Sequence, residues 1–430
     1  MSFRTKFILT LLSATLTLYT AVGGWISTRA QQPANDPNAQ LRIFESVLQH
    51  IQNDYVDEPN MDKVRAGALR GLAYGLDPYS TYLTPDQVKE YNAANKTNLA
   101  GIGAELSQVA SYLYIIAPMK GSPADQAGLK AGDIIEYIDT KATRDISLYD
   151  AKQLLNGAPG TEVKLRVLRA NSSPLTITVK RGTTRAPAAE GRIEAGRVGI
   201  LRINSFADGE SAEVKTRLQD LLKQGAQKIV IDMRDTAGGS LNEAVAVANL
   251  FIRDGVLAQT IGREGTALKT FSADSKATVF TGPVVALIDK GSAGAAEVVA
   301  SALIERSRAQ VVGEKSFGAG TEQQLFTLRG GDGLLLTTVK WASSSGKTFL
   351  GEERANTGVT PSVEVKSLEL PEAVDPDELT GNDDDAIQKP EPGNEKREVA
   401  PAPAAKPPAE DLQLKKALEL LKDKPVQRAA

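Results

Sequence analysis

The stretch Gly291–Gln324, GSAGAAEVVASALIERSRAQVVGEKSFGAGTEQQ, passes from a turn of small residues through an apolar helix and a short strand into a second glycine-rich loop. Reading outward, the same alternation extends on the amino-terminal side: RVGILRINSF reads as a strand, SAEVKTRLQDLLKQG as a helix, KIVIDMR as a strand, LNEAVAVANLFI as a helix and PVVALID as a strand. Strands that are apolar throughout, each followed by an amphipathic helix, predict βα units with the strands buried by helices on their faces. Sites in such folds gather beyond the carboxyl ends of strands. Two loops stand there. DMRDTAGGSL sets Gly238 and Gly239 between a strand and a helix, where free backbone N–H groups suit an oxyanion or a carbonyl. DKGSAGAAE repeats the arrangement and adds the N–H of Ala295 at a helix start.

Composition narrows the chemistry. The 430 residues, 41% of them hydrophobic, are enough for two or more domains with cores. A net charge of −3 and only 5% aromatic residues argue against nucleic-acid binding. With no Cys there is no disulfide, no thiolate nucleophile and no cysteine zinc site, and a histidine mechanism would have to run through the single His50. His50 lies in LRIFESVLQHIQNDY, a helical pattern with Leu41, Phe44, Leu48 and Ile51 on one face, and reads as a structural or solvent-facing helix residue. No metal or cofactor is expected.

At the amino terminus, Arg4 and Lys6 precede an uncharged run from Phe7 to Thr28, followed by small residues suited to cleavage after Ala30. Residues 1–30 fit a cleavable export signal or an uncleaved anchor, and either places the rest outside the cytoplasm, periplasmic or extracellular, with membrane contact through this segment alone. A helical region is expected over 39–97, broken at LDPYSTYLTPDQ. Short strands follow over 98–182, with helices at SPADQAG and LYDAKQLLN. The segments GIGAEL, GSPADQAGLKAGDIIEYID and LLNGAPGTEVKLRVLR, in this order, resemble a bacterial PDZ domain. The resemblance implies capture of peptide or protein carboxyl termini by strand addition, with Gly101, Ile102, Gly103 and Ala104 as the carboxylate-binding loop.

From about Leu41 to Val365 the chain resembles the carboxyl-terminal processing peptidases, or tail-specific proteases, through LDPYSTYL, the PDZ segment, DMRDTAGG where the family has an Asn-Pro-Gly-Gly turn, RAQVVGEKSFGAGTEQQ and GVTPSVEV. The implied fold is mixed α/β: a βα-rich peptidase-like core over 190–365, an inserted PDZ domain and flanking helices. A family member hydrolyses peptide bonds with a Ser-Lys dyad. Here the motif departs. Where the family reads Ser-Ala-Ser-Ala-Ser-Glu, this chain has Ser292-Ala293-Gly294-Ala295-Ala296-Glu297, so the nucleophile position is Gly294. Where the family has Phe-Gly-Lys-Gly, it has Phe317-Gly318-Ala319-Gly320, so the base position is Ala319. Gln323 matches the residue that steadies the Lys. Neither Gly nor Ala carries an atom that attacks or exchanges a proton. Ser292 and Lys315 stand two and four residues from the vacated positions, and two residues of extended chain displace a group by about 6 to 7 Å. Ser240 reads as the cap of the next helix rather than as a nucleophile.

After Val365 the chain turns acidic and then proline-rich over 366–410, a composition expected of a flexible linker. It leads to a short helix at 411–424, where Asp411 is placed to cap and Leu414, Leu418 and Leu421 form a stripe that should dock on the amino-terminal helices or on a second subunit. The favoured reading is an exported pseudo-peptidase that binds tails, as a homodimer or beside an active homologue. Two others stay open: an active serine peptidase with a different nucleophile, and a structural envelope protein.

Overall fold

The computed structural model describes residues 37–93, 100–353, 356–367 and 410–422. The expected export segment at 1–30 and nearly all of the linker lie outside the described residues. Among the described residues no helix is long and apolar enough to cross a membrane.

Two compact units meet between Ala68 and Leu69. The first holds helix α1 (Pro37–Asp54) and the opening of α2 (Met61–Tyr74). His50 sits on the exposed surface of α1 with Nδ1 2.6 Å from the Asp54 carboxylate, in line with its solvent-facing reading.

The second unit begins with the end of α2, strand β1 (Thr81–Leu83) and α3 (Pro85–Ala93). The strand β1 falls within LDPYSTYLTPDQ, where the helical region was expected to be broken. The carboxylate of Asp77 accepts from the N–H groups of Tyr79 and Ser80 and from the Ser80 hydroxyl, a local turn that delivers the chain to β1.

The PDZ domain follows, with β2 (Ala104–Val109), β3 (Tyr112–Pro118), α4 (Pro123–Gln126), β4 (Ile134–Ile138), β5 (Lys141–Ala142), α5 (Leu148–Leu155), β6 (Glu162–Leu168) and β7 (Leu175–Lys180). The sheet order is β2-β3-β4-β6-β7, with β5 paired to β4. Strand β6 alternates buried Val163, Leu165 and Val167 with exposed Glu162, Lys164 and Arg166, as a sheet covered on one face requires. Strand β3 does not alternate, because the sheet is covered on both faces where it runs. Leu113 and Ile115 pack with Leu148, Ala151 and Leu155 of α5, whereas Tyr112, Tyr114, Ile116 and Ile134 pack against Ala293 and Phe317.

The remaining elements are β8 (Glu190–Glu194), β9 (Val198–Arg202), α6 (Glu210–Lys223), β10 (Lys228–Asp232), α7 (Leu241–Asn249), β11 (Val256–Ile261), β12 (Ala267–Ser272), β13 (Val284–Ile288), α8 (Ala295–Glu305), β14 (Gln310–Gly313), β15 (Thr321–Thr327), β16 (Gly333–Ala342), β17 (Val363–Glu364) and α9 (Leu412–Lys422). Their main sheet has the order β17-β14-β13-β10-β9-β8, parallel except for β8 at one edge. Alternate residues serve two cores: Ile229, Ile231, Val284, Ala286 and Ile288 face α6, α7 and α8, while Val230, Val285 and Leu287 face the opposite way. A second, antiparallel sheet, β1-β16-β11-β12 with β15 on β16, was not foreseen. Its strands β12 and β15 are half-exposed or exposed throughout: β12 is exposed along nearly its whole length, and β15 alternates only between half-exposed and exposed residues.

Helix α9 covers that opposite face. Ala417 and Leu421 are buried against Val198, Ile200, Val230, Val285 and Val312, with Leu414 and Leu418 partly buried beside them. The Asp411 carboxylate caps the helix through the Leu414 N–H at 2.9 Å and also receives both terminal nitrogens of Arg234. The stripe thus docks on the chain's own sheet, not on the amino-terminal helices or a second subunit. A parallel sheet with helices on one side only leaves its other face apolar and open, and this chain supplies the missing layer itself.

Candidate functional site

The two glycine-rich loops converge on one buried carboxylate. Oε2 of Glu297 accepts from the N–H of Gly294 at 2.7 Å and of Ala319 at 2.8 Å, and Oε1 accepts from the N–H of Gly318 at 2.8 Å and from the Ser316 hydroxyl. Positions 294 and 319 therefore share a single oxygen atom. Glu297 is fully buried, and burial pushes its carboxyl up to about 7 against the pull of those four donors. Sequence reasoning gave this residue no role, although a Glu three positions after a helix cap, reaching back to the cap N–H, was a signal to use.

Gly294 has φ 60° and ψ −106°, outside the regions open to other residues at low cost, at the amino end of α8. A Cβ built there meets nothing closer than Trp341 at 3.8 Å and the nitrogen of Gly238 at 3.9 Å. Space for a side chain exists; the backbone angle is the obstacle. Gly238 and Gly239 have φ of 77° and 88°, and a Cβ on Gly239 would stand 2.6 Å from the carbonyl oxygen of Phe206. Their N–H groups donate to no backbone carbonyl among the described residues, and the N–H of Ala295 is one of the free donors of a helix start. Gly238 and Gly239 line the space in front of Gly294, while Ala295, the next residue of the chain, is itself buried.

That space is a cleft of about 280 Å³ whose walls include Gly238, Gly239, Gly294, Ala319, Gln323 and Trp341. Gln323 is not left idle: its Nε2 donates to Thr321 at 2.7 Å and to Thr337 at 3.2 Å. Three other wall residues, Tyr79, Glu105 and Lys152, come from the segment before β1 and from the PDZ domain, and sequence reasoning missed them because only tertiary packing brings them in. Burial drives the Tyr79 hydroxyl well above its usual range, leaving it a neutral donor. Ser292 does not face the cleft's donors. It is fully buried, its hydroxyl donating to the Met233 carbonyl at 2.8 Å and receiving the Asp289 N–H at 3.0 Å. Lys315 is exposed. Ser240 takes the cap position of α7, yet its side chain makes no capping bond; its N–H donates to Phe206 instead.

In the PDZ domain, the Gly101 and Gly182 backbones exchange hydrogen bonds, the Ile102 carbonyl accepts from Ala124 at 2.7 Å and the Gly103 carbonyl accepts from Met119 at 2.8 Å. The loop's carbonyls are thus tied back, while the N–H groups of Ile102 and Gly103 donate to no backbone carbonyl among the described residues. Gly103 needs its φ of 73° and its missing side chain, since a Cβ would lie 2.5 Å from that of Ser122. Ala104 opens β2, an edge strand beside α5. Arg181 fixes the far end of α5, donating to the Leu154 and Leu155 carbonyls at 2.8 and 3.0 Å.

Comparison with known proteins agrees with both parts. Residues 197–365 match the model of peptidase family S41, and residues 114–169 match that of a PDZ domain. Over 341 residues the chain is 30% identical to the carboxy-terminal processing protease CtpA of Bacillus subtilis (strain 168), covering 79% of this chain and 72% of that protein. The chain belongs to the carboxy-terminal processing protease family. It is also 32% identical over 359 residues to a probable CtpA-like serine protease of Staphylococcus aureus (strain N315), covering 83% and 70% of the two chains. Among solved structures, a photosystem II D1 C-terminal processing protease superposes with a TM-score of 0.63 at 25% identity, over 78% of this chain and 89% of that one. The mixed α/β fold with its PDZ domain is that of the carboxy-terminal processing protease family.

Proposed function

We propose that this chain is a catalytically silent member of the carboxy-terminal processing protease family that captures the carboxyl termini of peptides or proteins through its PDZ loop. The observation that carries the reading is the content of the cleft. At the two positions tied to one Glu297 oxygen stand Gly294 and Ala319, so neither position carries a hydroxyl or an amine in the cleft that Gly238 and Gly239 line. An oxyanion site without a nucleophile forms no acyl-enzyme. Ser292 supports the same conclusion, because releasing it would break buried hydrogen bonds. The PDZ loop keeps what strand addition needs: an edge strand, tied-back carbonyls and unengaged N–H groups at Ile102 and Gly103. The uncharged run from Phe7 to Thr28 supports work outside the cytoplasm.

Two measurements test the reading. Incubated with an unstructured protein ending in small apolar residues, the purified chain should yield no turnover; cleavage abolished by Ser292→Ala would overturn the silent assignment. In an anisotropy titration, free-acid peptides with apolar last residues should bind more tightly than their amides, about tenfold for one charge-assisted contact. Equal affinity of acid and amide would remove the Gly101–Ala104 loop from the account.

A further inference from the structure

Glu105 is the second residue of β2, and the ladder between β2 and β3 shifts register between Glu105 and Leu106. Irregularities of this kind re-aim a side chain. Ala104 and Leu106, the neighbours on either side, pack into the PDZ core. Glu105 is directed the other way, into the vacated cleft, where its Oε2 lies 3.0 Å from the point a Cβ on Gly238 would occupy. Its other oxygen, Oε1, is 3.7 Å from the ammonium of Lys152 on α5, and both of those side chains keep about two-fifths of their surface exposed, 39% and 42%. A negative group thus stands beside a turn whose N–H donors suit negative groups, with no hydrogen bond to either glycine among the described residues, and meets any second negative group there with like-charge repulsion. The wall of the cleft that a reacting carbonyl would approach is occupied from within.

We propose that Glu105 is an internal cover of the Gly238–Gly239 turn, an autoinhibitory contact that excludes carboxylates and oxyanions arriving from solvent. This is a second barrier to hydrolysis, separate from the missing side chains at 294 and 319, and it rests on the reading of the turn as a disused oxyanion site. It does not depend on tail capture by the PDZ loop. The cover acts through the bulk and charge of the Glu105 carboxylate; Lys152 only pairs with its Oε1, and half-exposed pairs contribute little.

The probe is acetate, added to the full chain labelled with nitrogen-15 glycine, while the amide signals of Gly238 and Gly239 are followed. In Glu105→Ala these signals should move at acetate concentrations at least about tenfold lower than in the unaltered protein, the effect of removing a like charge beside the turn. Glu105→Gln keeps the volume, removes the charge, guards against a folding defect in the alanine variant, and should respond in the same direction. Lys152→Ala should stay within about twofold of the unaltered protein. An identical acetate response in the unaltered protein and in folded Glu105→Ala and Glu105→Gln, including no response in any, overturns the proposal. Peptide anisotropy on the same samples reports separately on the tail-binding reading.

Discussion

Glu297→Gln tests the idea that one carboxylate holds the two loops together. The substitution keeps the volume and replaces one acceptor oxygen with an NH2 group. Each Glu297 oxygen faces two donors: Ser316 and Gly318 on one side, Gly294 and Ala319 on the other. Below pH 7 the acid also carries one hydrogen, but its hydroxyl oxygen still accepts, whereas the amide NH2 brings two hydrogens and no acceptor, and whichever way it is turned these meet donors with no escape to water. The Ser316 hydroxyl offers little relief, since it already accepts from the Val359 N–H at 2.7 Å. A buried unsatisfied donor costs about 1–3 kcal/mol, so a loss of about 3 kcal/mol is expected, which lowers the melting temperature by about 5 °C. The sign of the pH dependence follows from the raised carboxyl. With a folded value of about 7 above an unfolded value near 4.5, Glu297 contributes stability that is full below 4.5 and is lost as pH rises through 7. That loss amounts to about 3 kcal/mol and is absent from the Gln variant. Differential scanning fluorimetry across pH should therefore show the two proteins furthest apart below pH 4.5, still well separated at pH 5 and converging by pH 8. Coincident melting at pH 5, or a gap that widens toward pH 8, would refute the reasoning and mean that the four donors hold a permanent carboxylate.

Restoring Gly294→Ser and Ala319→Lys together, with Glu105→Ala to uncover the turn, should give measurable labelling by a serine-directed acylating probe, whereas each dyad change alone should give none. The Ser must accept a φ near 60°, at a cost of about 1–3 kcal/mol, so a modest drop in melting temperature should accompany it. Arg234→Ala should free α9, since it breaks a two-pronged contact with Asp411; protease cleavage between 368 and 409 and loss of the 410–430 piece on gel filtration would show it, and retention of that piece would contradict it. Asp235→Asn should stabilise at pH 8 by about 1–2 kcal/mol and be neutral near pH 4, because burial and then Asp289 push the Asp235 carboxyl up to about 7, and stability from such a group is lost as pH rises through that value. Asn tolerates the φ of 47° at this position, and an effect of the opposite sign in pH-dependent melting would count against the assignment.

How far the sequence was legible depends on how local each signal was. The strands β9, β10, β13 and β14 are apolar on both faces and were readable as buried parallel strands. Gly294 and Ala319 were locatable because their neighbours keep the family pattern, and the structure brings both to one cleft. The antiparallel sheet was not readable, since β12 and β15 lie near the surface and their residues, ALKTFS and TEQQLFT, do not alternate apolar with polar. The stripe on α9 announced that the helix docks, but a stripe names no acceptor, and the open face of the sheet became visible only with the topology. Glu105 and Lys152 belong to the PDZ segment by sequence and to the cleft by packing, a juxtaposition no spacing rule predicts.

The double covering of β3 has a consequence for biosynthesis. The segment YLYIIAP leaves the ribosome with one set of side chains destined for the PDZ core and another, Tyr112, Tyr114 and Ile116, destined for Ala293 and Phe317, which are made long afterwards. During that interval the nascent PDZ domain presents an aromatic-aliphatic strip with nothing to cover it, the kind of surface on which chains cohere. A fragment truncated before residue 293 would keep that strip for good. The module most easily drawn as a separate bead is, for solubility, the part most dependent on the rest of the chain.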